Sequence, residues 1–113
     1  MAGGGVAEQR YAALVLSAVE SVPPGRVTTY GAVAEQLRAA TGRGGPRQVA
    51  RVMALEGAAV PWWRCVRADG TLPAHLVGRA EAEWAAEGTP RLGSGAVDLR
   101  AAFVEPTHVP GHD

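Results

Sequence analysis

The stretch TYGAVAEQLRAATGRGGPRQVARVMAL, residues 29–55, decides the fold, because two amphipathic segments flank a glycine-rich one. In the first segment, residues 30–40, apolar side chains recur every three or four positions, which predicts a helix that buries one face. These inward residues are Val33, Ala34 and Leu37. Either Thr28 or Thr29 can accept a hydrogen bond from the first turn and so cap this helix.

The second segment begins at Pro46, which suits the first position of a helix because the N–H that proline lacks would have no partner there. We expect this helix to cover residues 46–55. It buries Val49, Val52 and Met53 and leaves Arg47, Gln48 and Arg51 towards solvent. A helix, a short turn over residues 41–45 and a second helix with exposed arginines are typical of a helix-turn-helix that binds DNA.

Further elements are predicted on both sides of this unit. Apolar spacing over residues 8–22 predicts an N-terminal helix, which Pro23-Pro24-Gly25 ends. A fourth helix is expected over residues 79–87, ended by Gly88, and a late strand over residues 96–99. We therefore expect one domain, residues 7–103, between a flexible tail at residues 1–6 and a C-terminal tail at residues 104–113.

The aromatic stretch VPWWRCVRADG, residues 60–70, follows the second helix directly. On a strand, Trp62 and Trp63 would point to opposite faces, so one ring would fill core and the other would cover a surface groove. Residues 64–67 and 71–72 are expected to pair around the Asp69-Gly70 turn as a hairpin wing. The predicted fold class is α+β, mostly α, a winged helix-turn-helix.

Composition narrows the possible functions. One cysteine excludes an internal disulfide, and three scattered histidines supply no metal-ligand spacing, so we expect no metal and no cofactor. No segment has the length of a membrane span, and we expect a cytoplasmic monomer, nucleoid-associated if the source is bacterial. Net charge is zero, but residues 26–67 carry seven arginines and two acids, whereas the remainder carries four arginines and nine acids. A basic middle between acidic ends indicates a face that meets a polyanion.

Four stretches carry a family likeness, in order and at the right spacing: SVPPGRVTTYGAVAEQL, PRQVARVMA, VPWWRCVRADGTL and EGT. Together they resemble the DNA-binding domain of the O6-alkylguanine-DNA alkyltransferases over residues 15–88. Trp62 stands where an alkyltransferase has its acceptor cysteine. This exchange is the mark of the alkyltransferase-like proteins, which bind O6-alkylguanine in DNA, transfer nothing, and flag the lesion for nucleotide excision repair.

The resemblance implies roles for particular residues. Tyr30 matches the tyrosine that pushes a phosphate and helps to rotate the target nucleotide out of the duplex, and Arg47 matches the arginine that enters the vacated place. Trp62 would contact the flipped base or its alkyl group. Arg64 keeps the family arginine after the motif and is expected to brace the loop.

Four further residues complete the expected site. We expect Thr29, Gln48 and Arg51 to contact the DNA backbone beside Arg47. The family resemblance implies that the recognition helix lies in the minor groove, where readout of base sequence is weak. Pro61 is expected to line the lesion pocket together with Tyr30 and Trp62.

Departures from the family pattern concern the chemistry. Trp63 replaces the histidine that in the enzyme links the cysteine to a glutamate, and only Glu87 remains of that chain of groups. The face to which the Trp63 ring points is left open. His75 lies near the position of an arginine that probes the modified base in some relatives, and we include it in the lesion pocket.

The leading hypothesis is therefore a non-enzymatic DNA damage sensor for O6-alkylguanine in duplex DNA. Two alternatives remain open: an alkyltransferase that uses Cys65, and a winged-helix transcription regulator. A cysteine needs a base or a positive field in order to ionise, and Cys65 is expected on the buried side of a strand, which favours an inert core thiol.

Overall fold

The structure of the chain, a computed structural model, describes residues 2–107, without the side chains of residues 2–4 and 6. In this part of the chain, five helices and two short strands follow one another in the order α1 (Ala2–Glu20), β1 (Thr28–Thr29), α2 (Tyr30–Thr41), α3 (Pro46–Glu56), β2 (Cys65–Val66), α4 (Ala74–Glu87) and α5 (Leu99–Ala102). Two 3₁₀ turns, Gly57–Ala59 and Trp62–Arg64, lie between α3 and β2. None of the helices within the described residues is long and apolar enough to cross a bilayer.

Helix α1 begins earlier than the apolar spacing indicated. The expected flexible tail at residues 1–6 is corrected for residues 2–6, which belong to the helix, whereas Met1 lies outside the described residues. Once a helix is nucleated, each further residue adds one hydrogen bond, so a helix can run beyond its packed face. The packed face lies nearer the C-terminus of α1 and consists of Tyr11, Leu14, Val15, Ala18 and Val19.

The helix-turn-helix forms as predicted, and its ends follow from local sequence. The hydroxyl of Thr29 accepts a hydrogen bond of 3.1 Å from the N–H of Ala32, so Thr29 is the cap of α2. Gly42 ends α2 in the left-handed region, with φ of 75°. Pro46 occupies the start of α3. The inward sides of α1, α2 and α3 form one hydrophobic cluster that also includes Val60 and Cys65.

The small sheet differs from the expected wing. β2 pairs in parallel with β1, with Thr28 opposite Cys65 and Thr29 opposite Val66. Residues 67–71 form a tight turn in which Arg67 donates its N–H to the carbonyl of Thr71 at 2.9 Å, and no second strand follows within the described residues. The apolar pair Cys65 and Val66 is fully buried, which suits a strand between two packed helical layers better than an exposed wing.

The C-terminal third of the chain packs against Val27 and Val66 at the small sheet. Helix α4 begins at Ala74, five residues before the predicted start, and ends at Gly88 with φ of 71° as predicted. The expected strand at residues 96–99 is only a bridge between Val97 and Arg91, because Leu99 already belongs to α5, whose cap is Asp98. A second hydrophobic cluster lies here, built from Val27, Val66, Leu72, Ala80, Trp84, Val97 and Ala102.

The predicted C-terminal tail is corrected at its beginning. Val104 donates its N–H to the carbonyl of Val27 at 2.8 Å, and Thr107 donates its N–H to the hydroxyl of Ser21 at 3.2 Å. Pro106 is fully buried. Residues 104–107 therefore pack on the domain, because an unpaired sheet edge next to β1 accepts them; residues 108–113 lie outside the described residues.

The turn between α2 and α3 gives a test of this packing. Gly44 has φ of 90°, and a Cβ there would overlap the Tyr11 hydroxyl and lie 2.5 Å from Tyr11 Cζ. We expect Gly44→Ala to lower the free energy of unfolding by about 2–4 kcal/mol, since it combines left-handed strain with overpacking. Gly42→Ala, at φ of 75° with open space around it, should cost only about 1 kcal/mol. Urea denaturation of both variants measures this difference, and equal losses would contradict the proposed clash with Tyr11.

Candidate nucleic-acid interface

The outer face of α3 carries the predicted recognition residues. Arg47 and Arg51 are exposed one helical turn apart, and Gln48 is half-buried beside them. Val49 and Met53 hold the opposite face against α1 and α2. No acidic residue lies in the first turn of α3, so nothing there offsets the positive end of the helix dipole or the arginine next to it. This face can bind an anion.

Tyr30, the first residue of α2, lies at the junction of the two hydrophobic clusters and is half-buried. Burial raises the pKa of Tyr30 to about 12, the nearby Cys65 adds to the rise, and Arg67 acts in the opposite direction. The phenol is therefore protonated at neutral pH and can donate a hydrogen bond. Thr29 immediately precedes it, and the Thr29 hydroxyl already accepts from the N–H of Ala32 in the first turn of α2.

Trp62 opens the 3₁₀ turn Trp62–Arg64 and is half-buried, with Pro61 half-buried before it. Like Tyr30, it packs against both hydrophobic clusters, so the fold brings these two predicted pocket residues to the same junction. The Trp63 ring meets the Trp62 ring edge to face, with centroids 5.5 Å apart and an interplanar angle of 84°. The guanidinium carbon of Arg79 lies 5.8 Å from the centroid of Trp62.

Arg79 is the residue that sequence analysis missed. His75, the predicted pocket residue, is exposed on the first turn of α4, and Arg79 follows one turn later on the same side of the helix. Because His75 and Arg79 are four residues apart, a helix that covers both places them on one face. The sequence predicted a helix that begins only at residue 79, so this spacing did not point to Arg79.

The orientation of Trp63, which the sequence left open, is determined by Glu87. The indole Nε1–H of Trp63 donates to Glu87 Oε2 at 3.0 Å, and the carbonyl of Trp63 accepts from Trp84 Nε1 at 2.8 Å. Arg64 donates its Nε–H to Glu87 Oε1 at 3.1 Å and its Nη2–H to Glu87 Oε2. The N–H of Gly25 donates to Glu87 Oε1 at 3.0 Å. Four donors thus converge on one carboxylate.

Arg64 is placed as a brace, as expected. Besides Glu87, its Nη1–H donates to the carbonyl of Val22 at 3.1 Å, at the end of the N-terminal helical region. The side chains of Arg64 and Glu87 are only 14% and 12% exposed. Burial by itself would raise the pKa of Glu87, but the hydrogen bonds from Arg64, Gly25 and Trp63 outweigh it, and the net shift lowers the pKa below 4.5.

Cys65 follows this turn as the first residue of β2 and is fully buried. Burial raises the pKa of the Cys65 thiol far above its ordinary value, and no basic group lowers it. A thiol that is neutral and inaccessible is not a nucleophile. The geometry therefore agrees with an inert core cysteine. No group of three or more metal-ligating side chains converges anywhere in residues 2–107.

A groove of about 450 Å³ lies apart from the aromatic loop, between α2, the start of α3 and the C-terminal segment. Its rim carries Glu35 and Glu105 together with Arg38. Neither Tyr30 nor Trp62 lines it. The mixed charge makes it a poor receptor for a polyanion, so we place the candidate interface at α3 and the aromatic loop.

A helix-turn-helix with an arginine-bearing second helix and an aromatic loop packed behind it defines a DNA-binding domain. The sequence matches the family model described as the DNA-binding domain of 6-O-methylguanine DNA methyltransferase over residues 10–89, and the chain belongs to this family. No curated protein matches the chain significantly.

Solved structures show the same fold. The crystal structure of S. pombe Atl1 in complex with damaged DNA containing O6-carboxymethylguanine is similar with a TM-score of 0.71 and 24% identity, covering 87% of this chain and 97% of that one. A second structure, of S. pombe ATL in complex with DNA, is similar with a TM-score of 0.68, at the same identity and coverage. The predicted fold class, mostly helical with a small sheet and like the DNA-binding domain of the alkyltransferases, is confirmed apart from the hairpin wing.

The Glu87 cluster predicts a specific dependence of stability on pH. Because the folded-state pKa of Glu87 is lowered, its contribution is fully present above the ordinary pKa of 4.5 and is lost as the pH falls through the lowered value. We expect Glu87→Gln to lower the free energy of unfolding by about 1–3 kcal/mol at pH 7. In urea denaturation, the difference from wild type should shrink below about pH 4.5.

Glu81→Gln is the matched control, since Glu81 lies on the same helix and pairs with Arg91, but its side chain is 47% exposed. Its effect should stay below about 1 kcal/mol. A loss for Glu87→Gln that is equally large at pH 3.5 and pH 7 would show that the charge of Glu87 is not the stabilising feature.

Proposed function

We propose that this chain is a non-enzymatic sensor that binds O6-alkylguanine in duplex DNA by nucleotide flipping and flags it for nucleotide excision repair. The observation that carries the proposal is Trp62, a half-buried ring at the position where the family resemblance implies an acceptor cysteine. Family membership supports DNA binding, and the presence of O6-carboxymethylguanine in the related S. pombe complex supports the choice of lesion.

The pocket suits a flat base with an apolar substituent. Trp62 offers a ring for stacking and dispersion contacts, and it tolerates adducts of different size better than a close-fitting polar site would. Pro61 precedes it in the chain, and Tyr30 packs against the same two hydrophobic clusters. Arg79, over the Trp62 ring, adds a cation that can face the polar edge of a flipped base or a charged adduct.

Flipping requires compensation for the lost stacking, which costs a few kcal/mol. Arg47 is exposed at the beginning of α3, where a planar guanidinium can enter the duplex and hydrogen-bond the orphaned partner base. Tyr30 lies at the start of the preceding helix, where its phenol can act on the phosphate of the target nucleotide. Thr29, Gln48 and Arg51 would contact neighbouring phosphates.

The loop offers no route to alkyl transfer. Trp62 has no thiol that could accept an alkyl group. Trp63 stands where the family resemblance implies a histidine, and its indole N–H donates a hydrogen bond to Glu87. Cys65, the alternative acceptor, is fully buried on β2. These three features favour recognition without chemistry. They also argue against the transferase that would use Cys65.

The transcription-regulator alternative is disfavoured by the aromatic loop. A sequence-reading winged helix needs a recognition helix and a hairpin, but the residues after β2 form only a tight turn within the described chain. Reading of base sequence by such a protein does not require the half-buried Trp62 or the guanidinium of Arg79 over its ring. A preference for particular undamaged sequences would revive this alternative.

The test of function compares two duplexes of identical sequence, one with O6-methylguanine or O6-carboxymethylguanine and one with guanine. We expect binding at least tenfold tighter to the modified duplexes, since a stacked base contributes about 1–3 kcal/mol. Fluorescence anisotropy measures the affinities, and mass spectrometry of both components after incubation should find the adduct still on the base and the protein mass unchanged.

Equal affinities for both duplexes would overturn the sensor, and a protein that gains the mass of the adduct would instead support transfer to Cys65. A Cys65→Ala variant separates these outcomes, because it should retain lesion binding. The repair step is tested separately, by whether the protein increases incision of the modified duplex by purified nucleotide excision repair enzymes.

Variants on α3 and α4 test the assigned roles. Arg47→Ala and Arg79→Gln should each reduce the affinity ratio between modified and plain duplexes by roughly 10-fold, because each removes a contact made only to a flipped nucleotide. Arg51→Ala, one turn after Arg47, removes a phosphate contact and should weaken binding to both duplexes alike. If Arg47→Ala also weakened both duplexes equally, Arg47 would be a phosphate contact and not the residue that fills the vacated place.

A further inference from the structure

A separate groove, which is cationic, lies between α1 and the end of α2. It has a volume of about 270 Å³ and is lined by Arg10 and Tyr11 from α1 and by Thr41 and Arg43 from the end of α2 and the turn. Small apolar side chains of both helices complete it. The two arginines thus approach one concave surface from two different elements.

Neither arginine forms an ion pair with another described residue. The ion pairs among the described residues are Arg64–Glu87 and Arg91–Glu81, so no described carboxylate lies within 4.0 Å of Arg10 or Arg43. Glu8, the acid nearest to Arg10 in sequence, is two residues away and lies on a different face of α1. Two unpaired guanidinium groups around a groove attract an anion.

The turn that carries Arg43 is held in place from both sides. The Thr41 hydroxyl accepts from the N–H of Arg43 at 3.3 Å and donates to the carbonyl of Leu37 at 2.7 Å. Arg38 donates two hydrogen bonds to the carbonyl of Gly44, at 3.2 Å and 2.7 Å. A charge on a fixed turn loses less conformational freedom upon binding than one on a free loop.

Tyr11 supplies an additional polar group at the same place. Its side chain is 2% exposed, and its hydroxyl lies against Gly44 without a hydrogen-bond partner among the described residues. Burial raises the pKa of Tyr11, while the positive charges of Arg38 and Arg43 act in the opposite direction. The phenol is thus neutral, and its O–H has no acceptor among the described residues.

The position of the groove identifies the anion. Arg43 precedes Arg47 by four residues, so their Cα atoms lie at most about 14 Å apart. That distance corresponds to roughly four base pairs along a duplex. We propose that Arg10 and Arg43 together clamp one backbone phosphate of the same DNA duplex that α3 engages, a few nucleotides from the flipped base. This inference rests on the proposed binding of duplex DNA, but not on recognition of the lesion.

The experiment measures affinity as a function of salt for wild type and for Arg10→Gln, Arg43→Gln and the double variant, on modified and plain duplexes. Since one neutralised phosphate contributes about 0.9 to the slope of log K against log salt, the double variant should have a slope smaller by about 1. Its affinity should fall roughly tenfold on both duplexes at low salt, with the ratio between them unchanged. Because both arginines share one phosphate, the two single effects should not add.

Arg100→Gln is the matched control, because it removes the same charge from exposed α5, outside the groove. A scan of single neutral methylphosphonates along the duplex locates the contact. One position should weaken wild type and leave the double variant unaffected.

If the double variant had the same salt slope as wild type, or if Arg100→Gln lowered the slope as much as the double variant, the proposed clamp would be overturned. Equal affinities of the wild type for the modified and the plain duplex would instead overturn the sensor. The two failures are therefore distinguishable.

Discussion

The carboxylate of Glu87 joins three regions that are far apart in the chain. It accepts from Gly25, which is 62 residues away, and from Trp63 and Arg64, which are 24 and 23 residues away. These donors belong to the turn before β1 and to the aromatic loop. Because the carboxylate is largely buried, its charge must be matched where it stands, and the four donors match it. The carboxylate of Glu87 therefore holds the Trp63 and Arg64 side chains of the aromatic loop in place.

The consequence for function lies in the Trp62–Trp63 pair. With the Trp63 indole directed to Glu87 and its carbonyl held by Trp84, the Trp63 ring is fixed, and Trp62 packs edge to face against it. Trp62 therefore presents a ring that is held in place before any ligand arrives, which reduces the entropy lost upon binding. In the proposed sensor, this arrangement positions an aromatic surface.

The parallel pairing of β1 and β2 links this loop to the DNA-binding helices. Thr29 pairs with Val66 and also caps α2, so the start of α2, where Tyr30 lies, moves together with the strand that follows Trp62. Helix α3 then packs on α2 and presents its arginines outward. The exposed Arg47 and Arg51 give this helix a basic outer face, whereas Glu81 and Glu87 of α4 form ion pairs with Arg91 and Arg64.

The sequence by itself determined the features that depend on neighbouring residues. A threonine cap of α2 at Thr28 or Thr29, Pro46 at the start of α3, Gly88 at the end of α4 and the inward faces of α2 and α3 were all predicted, because capping and helical periodicity act over one or two turns. The structure shows that the cap is Thr29. Motif register also singled out Trp62, Tyr30 and Arg47 as site residues, and their roles stay predictions. Only the tertiary structure decided which group the Trp63 indole meets, that β2 pairs with β1 and not with the residues after the turn, and that Arg79 lies over Trp62. Each of these depends on contacts between distant segments, whose closure and packing no local pattern encodes.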